Sequence, residues 1–193
     1  MTIEKSAIEA FLHAVDDELA LHAKQGERLD LYILGRAALI VRFGVNLATK
    51  DVDVVTHRND LGLERTALEL FGAGTPNALR WRLYLEGVGA GHPPVPGRYQ
   101  NLAVDLPGEW KVLRPRLLEL HDLAITKLRR YHSGDSEDLR IICDSGAINP
   151  GDLLQALDSA FPFGIDPEDP FAKGVKEHFD KVVEYLEGRA RDL

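Results

Sequence analysis

Apolar residues at Ile3, Ala7, Ile8, Phe11, Leu12, Val15, Leu19 and Leu21 recur at helical spacing, with acids and lysines between them. The pattern predicts an amphipathic helix over residues 3–24, ended by Gln25-Gly26-Glu27. Leu29-Asp-Leu-Tyr-Ile-Leu34 then reads as a short buried strand stopped by Gly35, and Ala37 to Phe43 as a helix that breaks near Gly44. Asp51-Val-Asp-Val-Val55 alternates acid and valine, a strand with both acids on one face. Asn59-Asp60 is placed to cap a helix running to about Phe71, before a Gly72-Ala-Gly-Thr-Pro76 loop. Leu79-Arg-Trp-Arg-Leu-Tyr-Leu85 alternates again and predicts a third strand; Gln100 to Leu106 predicts a fourth, closed by Pro107-Gly108. Between these two lies Gly87–Gly97, with four glycines and three prolines, an irregular loop. From Leu117 onward the pattern is helical, at about 118–131, 135–144, 150–160 and 171–187, with Pro162 and Pro167–Pro170 separating the last two. The fold class expected is α/β (α+β), a small mixed sheet with flanking helices followed by a helical C-terminal part. Its α/β unit spans about 25 to 112. With the N-terminal helix the core is residues 1–115, and residues 116–193 are expected to pack on it.

Charge sharpens this layout more than composition does. The 193 residues carry 31 acidic and 23 basic side chains, a formal net of −8, which excludes a general nucleic-acid or membrane coat. The excess is local: residues 134–193 hold 14 acids and 6 bases, while residues 80–130 hold 9 bases and 5 acids. An acidic tail thus follows a basic middle. The single cysteine, Cys143, excludes an internal disulfide or a zinc site built on cysteine pairs, and its apolar surroundings predict a buried structural thiol. The histidines form no His-x₃-His pair, so a zinc enzyme is not expected. The N-terminus lacks the layout of a signal peptide and no stretch reaches the ~18 apolar residues of a membrane span, so the expected setting is cytoplasmic, without a membrane partner.

Chemistry concentrates where a strand runs into Gly35 and a helix starts at once. A glycine there lets backbone approach a ligand, and the helix start offers free N–H groups to an anion such as phosphate. Asp51 and Asp53, two apart on the next strand, project into the same space. Two carboxylates so placed repel unless a cation lies between them, and hard oxygen ligands suit Mg²⁺ accompanied by substrate phosphates. Separately, a turn glycine or an Asp-x-Asp on a solvated strand is commonplace; together they point to a site. Thr49, just before the acids, is positioned to orient the loop by hydrogen bonding. Trp81, Tyr84 and Trp110 are either core aromatics or surfaces for a base, and Arg80 and Arg82 either a solvated sheet face or phosphate contacts.

Leu34-Gly35-Arg36 followed by Asp51-Val-Asp53-Val resembles the DNA polymerase β-like nucleotidyltransferases, whose pattern is Gly followed by Gly or Ser at a helix start, then Asp-x-Asp/Glu on the next strand. Arg36 replaces the second small residue, where it either crowds a triphosphate or binds one of its phosphates. The block Asp122-Leu-Ala-Ile-Thr-Lys127-Leu … Asp135-Ser-Glu-Asp138 is similar to the helical signature of bacterial nucleotidyltransferases related to AbiEii toxins, and Asp105-Leu-Pro-Gly-Glu-Trp110 to a turn of the DUF6036 group. These resemblances cover roughly residues 30–145. They imply a polymerase β-like fold and transfer of a nucleoside monophosphate from an NTP to an acceptor hydroxyl, with Mg²⁺, or Mn²⁺ as the alternative, as cofactor. Asp51, Asp53 and Asp105 would be the catalytic and metal-binding acids, and Gly35, Arg36, Thr49 and Lys127 would hold the nucleotide. By the same resemblance the acceptor would be tRNA or a protein and the setting a toxin–antitoxin pair with a cognate antitoxin. The competing expectation is a non-catalytic descendant that binds nucleotide or protein. Read from the residues alone, Lys127 is a phosphate ligand or a snorkelling lysine, Asp105 a third acid or a solvent-facing residue, Asp135 a helix cap or a catalytic acid, and Asp138 a partner for Arg130.

Overall fold

A two-residue alternation runs through the strands and decides which side of the sheet meets the core. The computed structural model describes residues 2–56, 61–89, 95–129, 131–166 and 168–193, and its chain divides into two units. The first takes residues up to 89 together with 103–118. In it lie β1 (Thr2–Ile3), α1 (Lys5–Leu19), β2 (Leu29–Ile33), α2 (Gly35–Phe43), β3 (Leu47–Ala48), β4 (Asp51–Thr56), α3 (Leu61–Phe71), α4 (Pro76–Trp81), β5 (Tyr84–Gly87), β6 (Val104–Asp105) and β7 (Leu113–Leu117). The main sheet has five strands in the order β5-β4-β2-β7-β6, and β1 pairs with β3 apart from it. Strand β2 runs antiparallel to β4 and parallel to β7; β5 is parallel to β4, and β6 antiparallel to β7.

The registers sort the side chains into two faces. Leu31 and Ile33 of β2, Val52 and Val54 of β4, Leu85 of β5 and Leu113 and Leu117 of β7 share one face and are buried. Helix α1 packs on α2 and α3 through Ile8, Phe11, Leu12, Val15 and Leu19, all buried, and α1, α2 and α3 in turn meet β7, β4 and β5. The opposite face carries Asp51, Asp53, Tyr84, Glu86, Asp30, Tyr32, Arg114, Arg116 and Asp105. One half of the alternation makes a core; the other leaves a row of chemistry.

Three departures from the sequence reading have local causes. The third strand expected at 79–85 is α4 followed by β5: Thr75 caps the helix by accepting from the Ala78 N–H at 3.2 Å, Pro76 opens it, and Arg82 takes a left-handed conformation (φ 56°) that ends it. Arg80 and Arg82 therefore share no strand face. In the expected fourth strand, Tyr99–Leu102 forms a helical turn and only Val104–Asp105 pairs. Strand β7 is an addition to the four expected strands; its Pro115 lacks a donor yet its carbonyl accepts from the Leu106 N–H at 2.9 Å. The start of β7 is tied to α1 by the buried Asp16, which accepts from the N–H groups of Lys111, Val112 and Leu113 at 2.7, 2.8 and 2.6 Å. The expected cap at Asn59-Asp60 lies outside the described residues, as do Arg130, proposed above to pair with Asp138, and Pro167.

The second unit takes the described parts of residues 90–102 and 119–193. It holds the short α5 (Tyr99–Leu102) and the helices α6 (Leu120–Lys127), α7 (Ser133–Asp144), α8 (Pro150–Ala160) and α9 (Pro170–Leu186). Helix α6 is buried along its whole length and packs against α7 and α8. Glu119 caps it from the His121 and Asp122 N–H groups and bonds the His121 ring at 2.8 Å. The other His121 nitrogen accepts from the Asn149 N–H at 3.2 Å, and Asn149 in turn caps α8. No helix of the described residues is long and apolar enough to cross a membrane.

Candidate metal and nucleotide site

Strands β4 and β5 pair in parallel with Asp51 opposite Tyr84 and Asp53 opposite Glu86. Residues opposite one another on paired strands face the same way, so these four form a square on the polar face. Oxygen atoms of Asp51, Asp53 and Glu86 lie within 4.8 Å of one another, and this is the one such acidic group among the described residues that could hold a metal ion. The two aspartates are half-buried and Glu86 is exposed.

Both aspartates are held from the side. The Thr49 hydroxyl donates to the Asp51 carboxylate at 2.7 Å and also lies 3.1 Å from its backbone carbonyl, which fixes the carboxylate at the start of the strand. Asp53 sits against Gly35. The Leu34 N–H donates to the Asp53 carbonyl at 3.0 Å, and a Cβ at Gly35 would stand 2.1 Å from the Asp53 Oδ2. Gly35 also has φ +68°, the left-handed region that favours glycine. Two independent demands, conformation and space, therefore fall on one residue, which is also the first of α2. Arg36 follows it and donates to the Ala48 carbonyl at 3.3 Å, tying the helix start to the turn that carries Thr49.

Three carboxylates in this volume repel one another, and that repulsion is relieved by a divalent cation, whose preferred ligands are such oxygens. The donor set fits: it is all oxygen, partly open to solvent, and braced by Thr49 and Gly35. The neighbouring Tyr84 phenol has its pKa raised, by burial first and then by the charges of Asp51, Glu86 and Asp53.

The other expected residues are held in contacts of their own. Asp105, anticipated as the third acid, stands on β6 at the far side of the sheet, three strand spacings or about 14 Å from β4. Its carboxylate is 70% exposed and takes the Arg116 Nε at 2.6 Å. The third acid beside Asp51 and Asp53 is instead Glu86, which sequence reasoning missed. Its signal was present, because Tyr84-Leu85-Glu86 continues the polar–apolar alternation; placing the strand too early left Glu86 past its end. Lys127 belongs to the second unit, where it is buried with its ammonium 2.6 Å from Asp138 and 3.7 Å from Asp135. Asp135 caps α7 by accepting from the His132 N–H at 3.1 Å. Asp122, on the same helix as Lys127, is fully buried and takes the Arg98 Nε at 3.1 Å; burial pushes its pKa up against the pull of that arginine. Trp81 packs edge-on to Phe11, and Trp110 stacks on His13 while donating to the Leu106 carbonyl, so both are structural.

Residues 10–154 match the family described as "Nucleotidyltransferase of unknown function (DUF6036)". No curated protein and no solved structure matches the chain.

Proposed function

The chain belongs to the DUF6036 family of nucleotidyltransferases of unknown function, and from that premise we propose that it transfers a nucleoside monophosphate from an NTP to an acceptor hydroxyl, the α-phosphorus exchanging its bond to the departing pyrophosphate for one to the acceptor oxygen, using Mg²⁺ held by Asp51, Asp53 and Glu86. The observation that carries this reading is the approach of three carboxylates from paired strands beside a glycine that opens a helix. A divalent ion bound there would neutralise charge on the reacting phosphate and favour ionisation of the attacking hydroxyl.

The chain's own residues do the positioning. Thr49 holds Asp51 in one orientation, so that its free oxygen is presented rather than searched for. Gly35 leaves room for Asp53, and the first N–H groups of α2 have no partners within the helix, so they suit the phosphate tail. Arg36 at that helix start adds a cation for the same tail. Lys127 is assigned a structural role, because its ammonium is shared by Asp138 and Asp135. Asp105 is assigned to the Arg116 pair at the edge of the sheet.

The test is incubation of the protein with each labelled NTP and Mg²⁺, with total RNA and total cell protein as separate acceptor arms. Wild type is expected to label one acceptor class, and Asp51→Asn with Asp53→Asn to label neither. Metal-dependent NTP binding without transfer would instead establish the non-catalytic alternative, and the absence of both would overturn the reading.

A further inference from the structure

The carboxylate square has one uncharged corner. Tyr84 stands opposite Asp51, two residues along β5 from Glu86 and on the same face. Its side chain is half-buried, and no described residue hydrogen-bonds its hydroxyl. The remaining strand aromatic of the polar face, Tyr32, is 3% exposed and lies beneath Arg116, whose guanidinium carbon is 5.6 Å from the ring centroid. Trp81 and Trp110 are occupied by Phe11 and His13. Among the described strand aromatics of the polar face, Tyr84 is thus the one next to the acids that is left partly open, and it sits on β5, the outer of the five described strands.

Direction matters as well. Asp53 is the acid against Gly35 and the start of α2, where the phosphate tail is placed. The Asp51–Tyr84 pair lies two residues further along the strands, about 7 Å away, so a nucleoside hanging from phosphates held at Asp53 has Tyr84 within its reach. We propose that Tyr84 is a positioning residue for the nucleoside: its ring stacks on the sugar–base portion of the NTP whose phosphates the carboxylate-bound ion holds. This rests on the nucleotidyltransferase reading above and adds to it the residue that recognises the part of the substrate that is not phosphate.

Equilibrium dialysis with Mg²⁺ tests it, using ATP, CTP, GTP and UTP, with inorganic tripolyphosphate as the probe that lacks a nucleoside. Tyr84→Leu is expected to weaken the preferred NTP by about fivefold to a hundredfold, the range that loss of one stacking contact produces, and to leave tripolyphosphate unchanged. Tyr84→Phe keeps the ring and is expected to bind the NTP as wild type does. Should Tyr84→Leu not fold, Tyr84→Trp supplies the reading: the emission it adds to that of Trp81 and Trp110, with wild type as the background, is expected to be quenched by NTP and not by tripolyphosphate. Equal binding by wild type and Tyr84→Leu, equal weakening toward both probes, or equal quenching by both probes would overturn the inference while leaving the nucleotidyltransferase reading standing. A wild type that binds none of the probes would overturn both.

Discussion

Gly35 is constrained from two sides, because its missing side chain is where the Asp53 carboxylate sits and its backbone has positive φ. Gly35→Ala adds a Cβ that overlaps that oxygen and places an L side chain at positive φ, a strain of roughly 1 kcal/mol or more before the clash is counted. The expected outcome is a lower midpoint in thermal melts, together with loss of Mn²⁺ binding by calorimetry as Asp53 is pushed aside. Glu86 and Asp105 offer a cleaner contrast. Glu86→Gln removes the charge of one of the three proposed carboxylate ligands and is expected to weaken Mn²⁺ by about tenfold or more, since even residues behind the ligands are worth that much. Asp105→Asn is expected to leave Mn²⁺ affinity as it was, because its carboxylate serves Arg116 on another strand. If the two variants exchanged these results, the site would have been drawn on the wrong side of the sheet.

At the scale of elements, the buried ion group on α6 and α7 tests what Lys127 is for. Removing one partner of a buried ion pair leaves the other charge uncompensated, a loss of about 3–5 kcal/mol. Lys127→Met removes the buried ammonium that Asp138 and Asp135 share and is expected to lower the urea midpoint. Affinity of the folded variant for tripolyphosphate with Mg²⁺ should stay at the wild-type value; a selective loss there would restore Lys127 as a phosphate ligand. Helix α4 shows how a short element can defeat a period. Leu79 to Leu85 alternates as a strand would, yet a threonine cap, a proline at the first turn and a left-handed Arg82 build a helix that takes in Leu79–Trp81, and pairing begins only at Tyr84. The cap was legible in Thr75-Pro76, and it outweighs alternation because it satisfies a backbone donor that would otherwise be unpaired.

The whole molecule can be read as two units through its own reporters. Both tryptophans lie in the first unit and the single cysteine, Cys143, in the second. Burial pushes the Cys143 thiol up to about 12 from an ordinary value of 9.0. The folded state therefore holds a proton that the unfolded state releases above pH 9.0, and stability falls as pH rises from there toward about 12. Below that window the contribution is fully present. In a urea titration followed by thiol labelling, the midpoint is expected to drop across this range, and Cys143→Ala to remove that part of the drop. A midpoint as steep in pH for Cys143→Ala as for wild type would assign the effect to other groups. At neutral pH the native thiol is expected to react with a disulfide reagent only as fast as the second unit opens.

What the sequence determined is local. The run from β2 through Gly35 into α2, the placing of Asp51 and Asp53 on one face, the burial of Cys143 and the helical character of the C-terminal part all follow from spacing of two or of three to four residues, which the backbone enforces wherever the segment folds. What the tertiary structure decided is which strands are neighbours and in what register. Asp105 and Glu86 are both acids on strands, and nothing in their flanking residues tells them apart as partners for Asp53. Strand order sets one opposite Asp53 and the other about 14 Å away. Lys127 likewise reads as a cation on an apolar helix until α7 brings Asp138 to it. Register and neighbourhood depend on how all the apolar faces are buried together, and a shift of one residue in pairing would have turned Glu86 away from the aspartates altogether.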